Sequence, residues 1–235
     1  MSKEITILGV SGGIRKNGVT GKAVEHFLET AASIPGVKTE MIDLAGKDIR
    51  PCLGCNACYR KKAECCPVIQ DDFDPAWMEM YRRCNALVIA SPIYQMNPAG
   101  AIVNFMGRLR PAGPSGRCGK YEMRLGTSIA VGGRRNGGQD TTVNALNNQL
   151  QTFGVSVIGG GVMFYNGPAV WSAGSRELED ATGRQEIEVA ARKLACLTRA
   201  MYAGVEALRD EIPLLGYAGF ETPEQQAQAY AFLGL

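Results

Sequence analysis

The sequence predicts an open α/β fold, a doubly wound, five-stranded parallel sheet with helices on both faces. Three observations carry this. Short apolar runs alternate with helix-periodic stretches between residues 4 and 159, the signature of βαβ units. The central run, residues 86–90 (ALVIA), is apolar throughout, as a strand buried on both faces is. A glycine-rich segment, residues 9–20, joins the first apolar run directly to the first helical one.

The elements follow in order. Residues 4–10 form the first strand and residues 20–33, apolar at helical spacing, the helix after it. Residues 38–44 form the second strand. Residues 74–83 read as a helix because Asp74 is a strong N-cap and Pro75 suits the first helical position. Residues 86–90 are the third strand, 98–109 a helix, 125–131 the fourth strand, 139–153 a helix and 155–159 the fifth strand. Residues 178–208 make a long amphipathic helix. Two Gly/Pro-rich stretches, 111–122 and 160–175, exceed what connections need and read as loops. The second carries Phe164, Tyr165 and Trp171, which either wall a ligand or pack on the sheet. Residues 1–210 thus form the main domain, with a cysteine-rich loop at 50–73. Residues 211–235 are an extension in which Thr222 caps a short helix. Its Tyr230, Phe232, Leu233 and Leu235 need burial, a second subunit being one place for them.

Composition narrows the function. The 235 residues are 46% hydrophobic and 20% charged, with 25 Lys plus Arg against 23 Asp plus Glu. No basic stripe accompanies the net charge of +2, so nucleic acid is not an expected partner. No apolar run approaches the ~18 residues of a membrane span. The N-terminus passes straight into a strand rather than a signal peptide, so the expected location is cytoplasmic. Eight cysteines in a reducing compartment point to metal or redox chemistry rather than disulfides. The single histidine, His26, excludes most hydrolytic triads and histidine-rich metal sites.

Residues 9–20 (GVSGGIRKNGVT) have the make-up of a phosphate cradle. Glycines let backbone N–H groups converge, and the helix N-terminus adds a positive dipole end. Ser11, Asn17 and Thr20 can add hydrogen bonds, and Arg15 can pair with a phosphate. The spacing of Gly13 and Gly18 mimics a P-loop, but Val19 holds the place of its lysine. Nor is there a G-x-G-x-x-G fingerprint here, so a phosphate monoester fits better than a triphosphate or a dinucleotide.

This segment resembles the loop of the flavodoxin-like FMN reductases, G-x-S-G-S-P-R-x-N-G-x-T. Gly13 and Ile14 stand where that pattern has serine and proline, so one hydroxyl to the phosphate is missing. Residues 91–100 (SPIYQMNPAG), leading into Phe105 and Arg108, resemble the family's loop around the ribityl chain and flavin edge. Residues 131–140 (VGGRRNGGQD) resemble its loop beside the isoalloxazine ring. The resemblance implies the strand order 2-1-3-4-5, with FMN outside the carboxyl ends of strands one, three and four. It implies contacts from Ser11, Gly13, Arg15, Asn17, Gly18, Thr20, Ser91, Pro92, Ile93, Tyr94, Gln95, Gly132, Gly133, Arg134 and Gly138. Tyr94 either stacks on the flavin or faces solvent. One of Arg134 and Arg135 contacts flavin or nicotinamide while the other is a solvated turn charge.

The cysteines are the sharpest feature. Cys52, Cys55 and Cys58 recur every three residues, and Cys65-Cys66-Pro67 follows. Two-residue spacers let a loop aim successive thiolates at one centre. The run resembles the ferredoxin pattern C-x2-C-x2-C with a distant Cys-Pro, which holds a [4Fe–4S] cluster. Cys65 and Cys66 both qualify as the fourth ligand. Arg50, Arg60, Lys61 and Lys62 flank the run and can offset its charge. A four-cysteine zinc site competes, although zinc sites more often use two separated C-x2-C knuckles. Cysteines that bind nothing are the third alternative. Cys84, Cys118 and Cys196 lie apart, as buried residues or loop thiols.

Together these features resemble the iron–sulfur flavoproteins, which carry a compact cysteine motif after the second strand, then an Asp-Asp-aromatic turn matched here by Asp71-Asp72-Phe73. The resemblance implies a homodimer or homotetramer. It further implies an oxidoreductase passing electrons between the cluster and FMN to a small acceptor, with ferredoxin a candidate donor. No residue need act as a covalent catalyst. Asp71 and Asp72 either cap the next helix or move protons, and His26 is structural. The alternatives are an NAD(P)H-dependent FMN or quinone reductase with structural or zinc-bound cysteines, and a non-enzymatic electron carrier or redox sensor.

Overall fold

Strand β1 (Ile5–Ser11) lies at the centre of the sheet, parallel to β2 (Val37–Asp43) on one side and to β3 (Ala86–Tyr94) on the other. The computed structural model describes residues 4–112, 124–208 and 211. Between these strands run α1 (Val19–Ala32), a single turn α2 (Ala57–Arg60) and α3 (Pro75–Arg83). After β3 come the two-residue β4 (Asn97–Pro98), α4 (Gly100–Arg108), β5 (Arg124–Gly132) and α5 (Gln139–Thr152). The chain then forms β6 (Val155–Val157), β7 (Ala169–Trp171) and α6 (Ala181–Ala207). The sheet order is β2-β1-β3-β5-β6, the expected 2-1-3-4-5 once β4, a hairpin partner of β3, is set aside.

The side chains of the central strands alternate between the two faces. From β1 and β3, Ile5, Ile7, Ala86, Val88 and Ala90 pack toward α1 and α6. Leu8, Val10, Leu87 and Ile89 pack toward α3, α4 and α5. The alternation is the period-2 pleat, and both faces being apolar produces the continuous hydrophobic runs of the sequence. Gly9 falls where α1 crosses closest: a Cβ there would sit 2.5 Å from Val24 Cγ1. His26 ties the two helices of that face together, its Nε2 3.1 Å from Glu188 Oε1.

The fifth strand departs from expectation. It is split: β6 pairs with Arg124–Gly126 of β5, while β7 pairs further along the same edge with Ala130–Gly132. Residues 160–175 are therefore only partly a loop. Phe164 turns back into the core, and Tyr165 is exposed. The free edge of β7 is satisfied by carboxylates from α6 and its cap: Ala169 N donates to Glu186 Oε2 and Trp171 N to Asp180 Oδ2, both at 2.8 Å. Burial pushes the Glu186 carboxyl up, against the pull of the Ala169 amide.

Asp74 caps α3 as its sequence suggests, its Oδ1 accepting from Ala76 N at 2.8 Å with Pro75 at the first turn. Replacing it with alanine should lower unfolding free energy by about 1 kcal/mol, read from urea denaturation. No helix among the described residues is long and apolar enough to cross a membrane. Most of the expected 111–122 loop, Cys118 and the tail from 212 onward, with Thr222, Tyr230, Phe232, Leu233 and Leu235, lie outside the described residues.

Candidate functional site

Two sites stand at opposite ends of α4. The first is a cleft of about 260 Å³ above the carboxyl ends of β1, β3 and β5. Its floor is the loop between β1 and α1. Gly12 N is anchored to Ala90 O at 2.8 Å, and Asn17 takes a left-handed turn (φ 53°). The cap residue of α1, Gly18, offers no side-chain cap. The first-turn amides of α1 thus face the cleft, lined here by Gly18, Val19 and Thr20, without a side chain to satisfy them. Arg15, Lys16 and Arg176 bring cations to the rim, and among the described residues no carboxylate lines it.

Of the residues expected here, Gly13, Arg15, Gly18, Thr20, Pro92, Ile93, Tyr94 and Gly133 line the cleft. Tyr94 is 42% exposed at the rim. The others shape the walls from behind. Ser11 is buried, its Oγ accepting from Gly13 N at 3.4 Å. Ser91 Oγ donates to Pro92 O at 2.7 Å and accepts from Ala99 N at 2.8 Å, fixing the β3–β4 hairpin to the start of α4. Gln95 and Met96 make the two-residue turn of that hairpin, both with positive φ (50° and 63°). This primed turn favours glycine or asparagine, so Gln95 is held in a strained conformation by the pairing on either side. Gly138, at φ 97°, leaves room for Met96: a Cβ there would lie 2.8 Å from Met96 Cα. Gly132 likewise yields space to Gln139.

Neither Arg134 nor Arg135 lines the cleft. The Arg134 carbonyl accepts from Gln139 Nε2, and the Arg135 guanidinium lies 4.3 Å over the Trp171 ring. Trp171 in turn donates from Nε1 to Gly133 O at 3.2 Å, bracing that wall. Ile14, Lys16, Val19 and Val131 also line the cleft. Ser172, Gly174 and Ser175, from the stretch 160–175 expected either to wall a ligand or to pack on the sheet, reach its rim after β7 together with Arg176, and none of these four was singled out in the sequence. A three-residue strand leaves no periodic signal that could have found them.

The second site is the cysteine loop. Its neck is pinched shut. Asp48 N donates to Asp72 Oδ2 at 2.8 Å, Asp72 N to Asp48 O at 3.1 Å, and Arg50 N to Asp71 Oδ2 at 2.8 Å. Between the necks the chain coils through left-handed residues at Gly54 (φ 64°), Asn56 (φ 57°) and Lys62 (φ 51°). Side chains hold the coil: Arg110 donates to Asn56 Oδ1 at 2.5 Å, Tyr59 OH to Arg110 O at 3.1 Å, and Arg60 to Cys55 O at 2.8 Å.

Cys52, Cys55, Cys58 and Cys66 line one pocket with Leu53, Val68, Ile69, Gly107, Arg108 and Arg110. Gly54 N donates to Cys52 Sγ at 3.5 Å. Cys65 does not line this pocket. It packs on the core beneath, and burial pushes its thiol up despite Arg108 and Arg82 nearby. As placed, no three of the His, Cys, Asp and Glu residues among those described stand close enough to hold one metal ion. A four-coordinate zinc would need every sulfur about 2.3 Å from a single point. Cys52, Cys55, Cys58 and Cys66 share the lining of one pocket, and Cys65 lies outside it.

The cations at this pocket, Arg108 and Arg110, come from the end of α4 and the turn that follows it rather than from the loop. Arg108, which the sequence placed near the flavin, is 3% exposed and pairs with Asp71 at 2.5 Å. Burial works against the Asp71 charge, but the Arg108 guanidinium and the Arg50 and Phe73 amides hold its carboxyl below the ordinary aspartate range. Asp71 therefore neither caps α3 nor faces either site as a proton carrier. Arg50 pairs instead with Asp48 (3.4 Å). Phe105, also expected at the flavin, is fully buried and stacks on Phe73 with ring centroids 5.6 Å apart. Cys84 is buried and Cys196 exposed.

The profile of NADPH-dependent FMN reductases matches residues 5–169. An iron–sulfur flavoprotein of Methanocaldococcus jannaschii is 32% identical over 192 residues, covering 80% of this chain and 95% of that protein. An iron–sulfur flavoprotein of Methanosarcina thermophila is 29% identical over 191 residues, covering 80% and 92%. Among solved structures, that of RosB with bound 8-demethyl-8-formylriboflavin-5'-phosphate superposes with a TM-score of 0.61 at 16% identity, covering 88% of each chain.

Proposed function

Because this chain belongs to the iron–sulfur flavoproteins within the NADPH-dependent FMN reductase family, and is a flavin-dependent oxidoreductase, we propose that it passes electrons between a [4Fe–4S] cluster and FMN and on to a small acceptor. The observation that carries this is the sorting of the cysteines: four face one pocket and the fifth turns into the core.

FMN fits the cleft at the β1–α1 loop. Its phosphate would meet the uncapped amides of α1, with Thr20 and Arg15 adding a hydroxyl and a charge. Tyr94 would cover one face of the ring. Pro92, Ile93 and Gly133 would bound the ribityl chain and ring edge, and the Trp171 brace keeps Gly133 in place. The cluster fits Cys52, Cys55, Cys58 and Cys66, whose thiolate charge Arg108 and Arg110 offset. Leu53, Val68 and Ile69 add apolar side chains to the same pocket. When bound, the cluster supplies one-electron steps and the flavin one- or two-electron steps, which together join unlike donors and acceptors. Helix α4 makes the connection, tied by Ala99 to the cleft hairpin at one end and presenting Gly107 and Arg108 to the cysteines at the other.

Anaerobic rapid mixing tests this. Reconstituted protein reduced by a one-electron donor such as dithionite or a ferredoxin should bleach its cluster absorption first and its flavin absorption second. Flavin that reduces from NADPH while the cluster stays oxidised throughout would favour a plain nicotinamide-dependent reductase. The cations at the cleft rim, Arg15, Lys16 and Arg176, are the feature that would suit that donor.

A further inference from the structure

We propose that the buried Asp71–Arg108 pair is a positioning pair for the cysteine pocket: Asp71 locks Arg108 in place as a fixed counter-charge, and together they set the potential at which a centre there accepts an electron. This rests on the cluster reading above and goes beyond it in assigning residues that are not ligands.

The pair closes the neck of the cysteine loop, so a clamp is the first role to weigh. Asp71 accepts from Arg50 N and Phe73 N on the two sides of the neck as well as from Arg108 Nη1. Three features exceed what a clamp needs. Both side chains are almost wholly inaccessible, 2% and 1% exposed, and burying an ion pair seldom adds stability over an apolar replacement. Arg108 Nε, buried, has no hydrogen-bond partner among the described residues. Leaving such a buried donor unmade is costly, and the same side chain lines the cysteine pocket, where thiolate or sulfide sulfur would accept from it. The third feature is dielectric. Arg60, Lys61 and Lys62 are exposed and screened by solvent, whereas Arg108 acts on the pocket through the protein interior. The guanidinium is further fixed 5.1 Å over the Phe73 ring.

A fixed positive charge favours the reduced, more negative state of a cluster, and a fixed negative charge opposes it. Removing the two charges one at a time should therefore move the potential in opposite directions. The full chain, reconstituted anaerobically with iron and sulfide, is titrated against redox mediators and followed by EPR of the reduced cluster, with iron and sulfide counted for each variant. Arg108→Met should raise the oxidised-to-reduced ratio at a fixed poise roughly tenfold, which for one electron is about 59 mV toward more negative potential. Asp71→Asn should move it a comparable amount the other way. Arg108→Lys should stay near wild type, and the double variant should return toward it.

A clamp without electrostatic reach predicts something else: iron lost from every variant, or loaded variants whose potentials shift together or stay fixed. Any of these overturns the proposal. A wild-type protein that loads no iron and sulfide overturns the cluster reading and this role with it. A fully loaded wild type with same-direction shifts overturns the pair's role alone.

Discussion

Cys66→Ser should strip reconstituted protein of iron and sulfide, by roughly tenfold or more, while Cys65→Ser keeps both near wild-type levels. The two cysteines are adjacent in sequence and cannot be told apart by spacing. Their surroundings separate them. Cys66 lines the pocket with Cys52, Cys55 and Cys58, whereas Cys65 packs on the apolar cluster of α3 and α4. Burial raises the Cys65 thiol pKa, so the thiolate needed for ligation is disfavoured there. The serine variants change little in volume, which keeps the comparison one of ligation rather than packing. The reverse outcome, iron retained in Cys66→Ser and lost in Cys65→Ser, would give the fourth corner to Cys65.

Gly12→Val should weaken FMN binding about 100-fold, or about 2.7 kcal/mol, while iron loading persists. A Cβ at Gly12 would lie 2.6 Å from Ile102 Cβ and 2.9 Å from Ala90 O. Ile102 is fully buried on α4 within the same cluster as Phe105 and cannot yield cheaply. The loop must give way instead, which breaks the Gly12–Ala90 anchor and displaces the α1 amides from the cleft. The cysteine pocket sits at the other end of α4, about 13 Å along a nine-residue helix, and should be spared. Fluorescence titration of the apoprotein with FMN measures the loss, and far-UV circular dichroism with iron counts confirms that the fold survives. Unchanged FMN affinity would place the phosphate elsewhere.

What could be read from sequence was local in the chain. The segment 9–20 that carries the β1–α1 loop is continuous in the chain, and its glycines and following helix imply a cradle whatever else the fold does. The buried strands announce themselves because both their faces are apolar. The cysteine run was equally legible. The unread parts depend on contacts between distant segments. Arg108 looked like part of the flavin loop because it follows that loop on α4, but the helix carries it to the far end, against Asp71 and the cysteines. Ser91, expected as a ligand contact, also fastens the hairpin to α4, a role no local pattern announces. Strand β7 has only three residues, held by β5 on one side and by Asp180 and Glu186 on the other, and none of these partners is near it in pattern. It nonetheless delivers Ser172, Gly174, Ser175 and Arg176 to the cleft.

Counting iron, acid-labile sulfide, zinc and FMN per chain after anaerobic purification and reconstitution is the most direct test. A [4Fe–4S] cluster with one flavin requires about four irons, about four sulfides and about one FMN. One zinc per chain, with no iron and no sulfide, would contradict it.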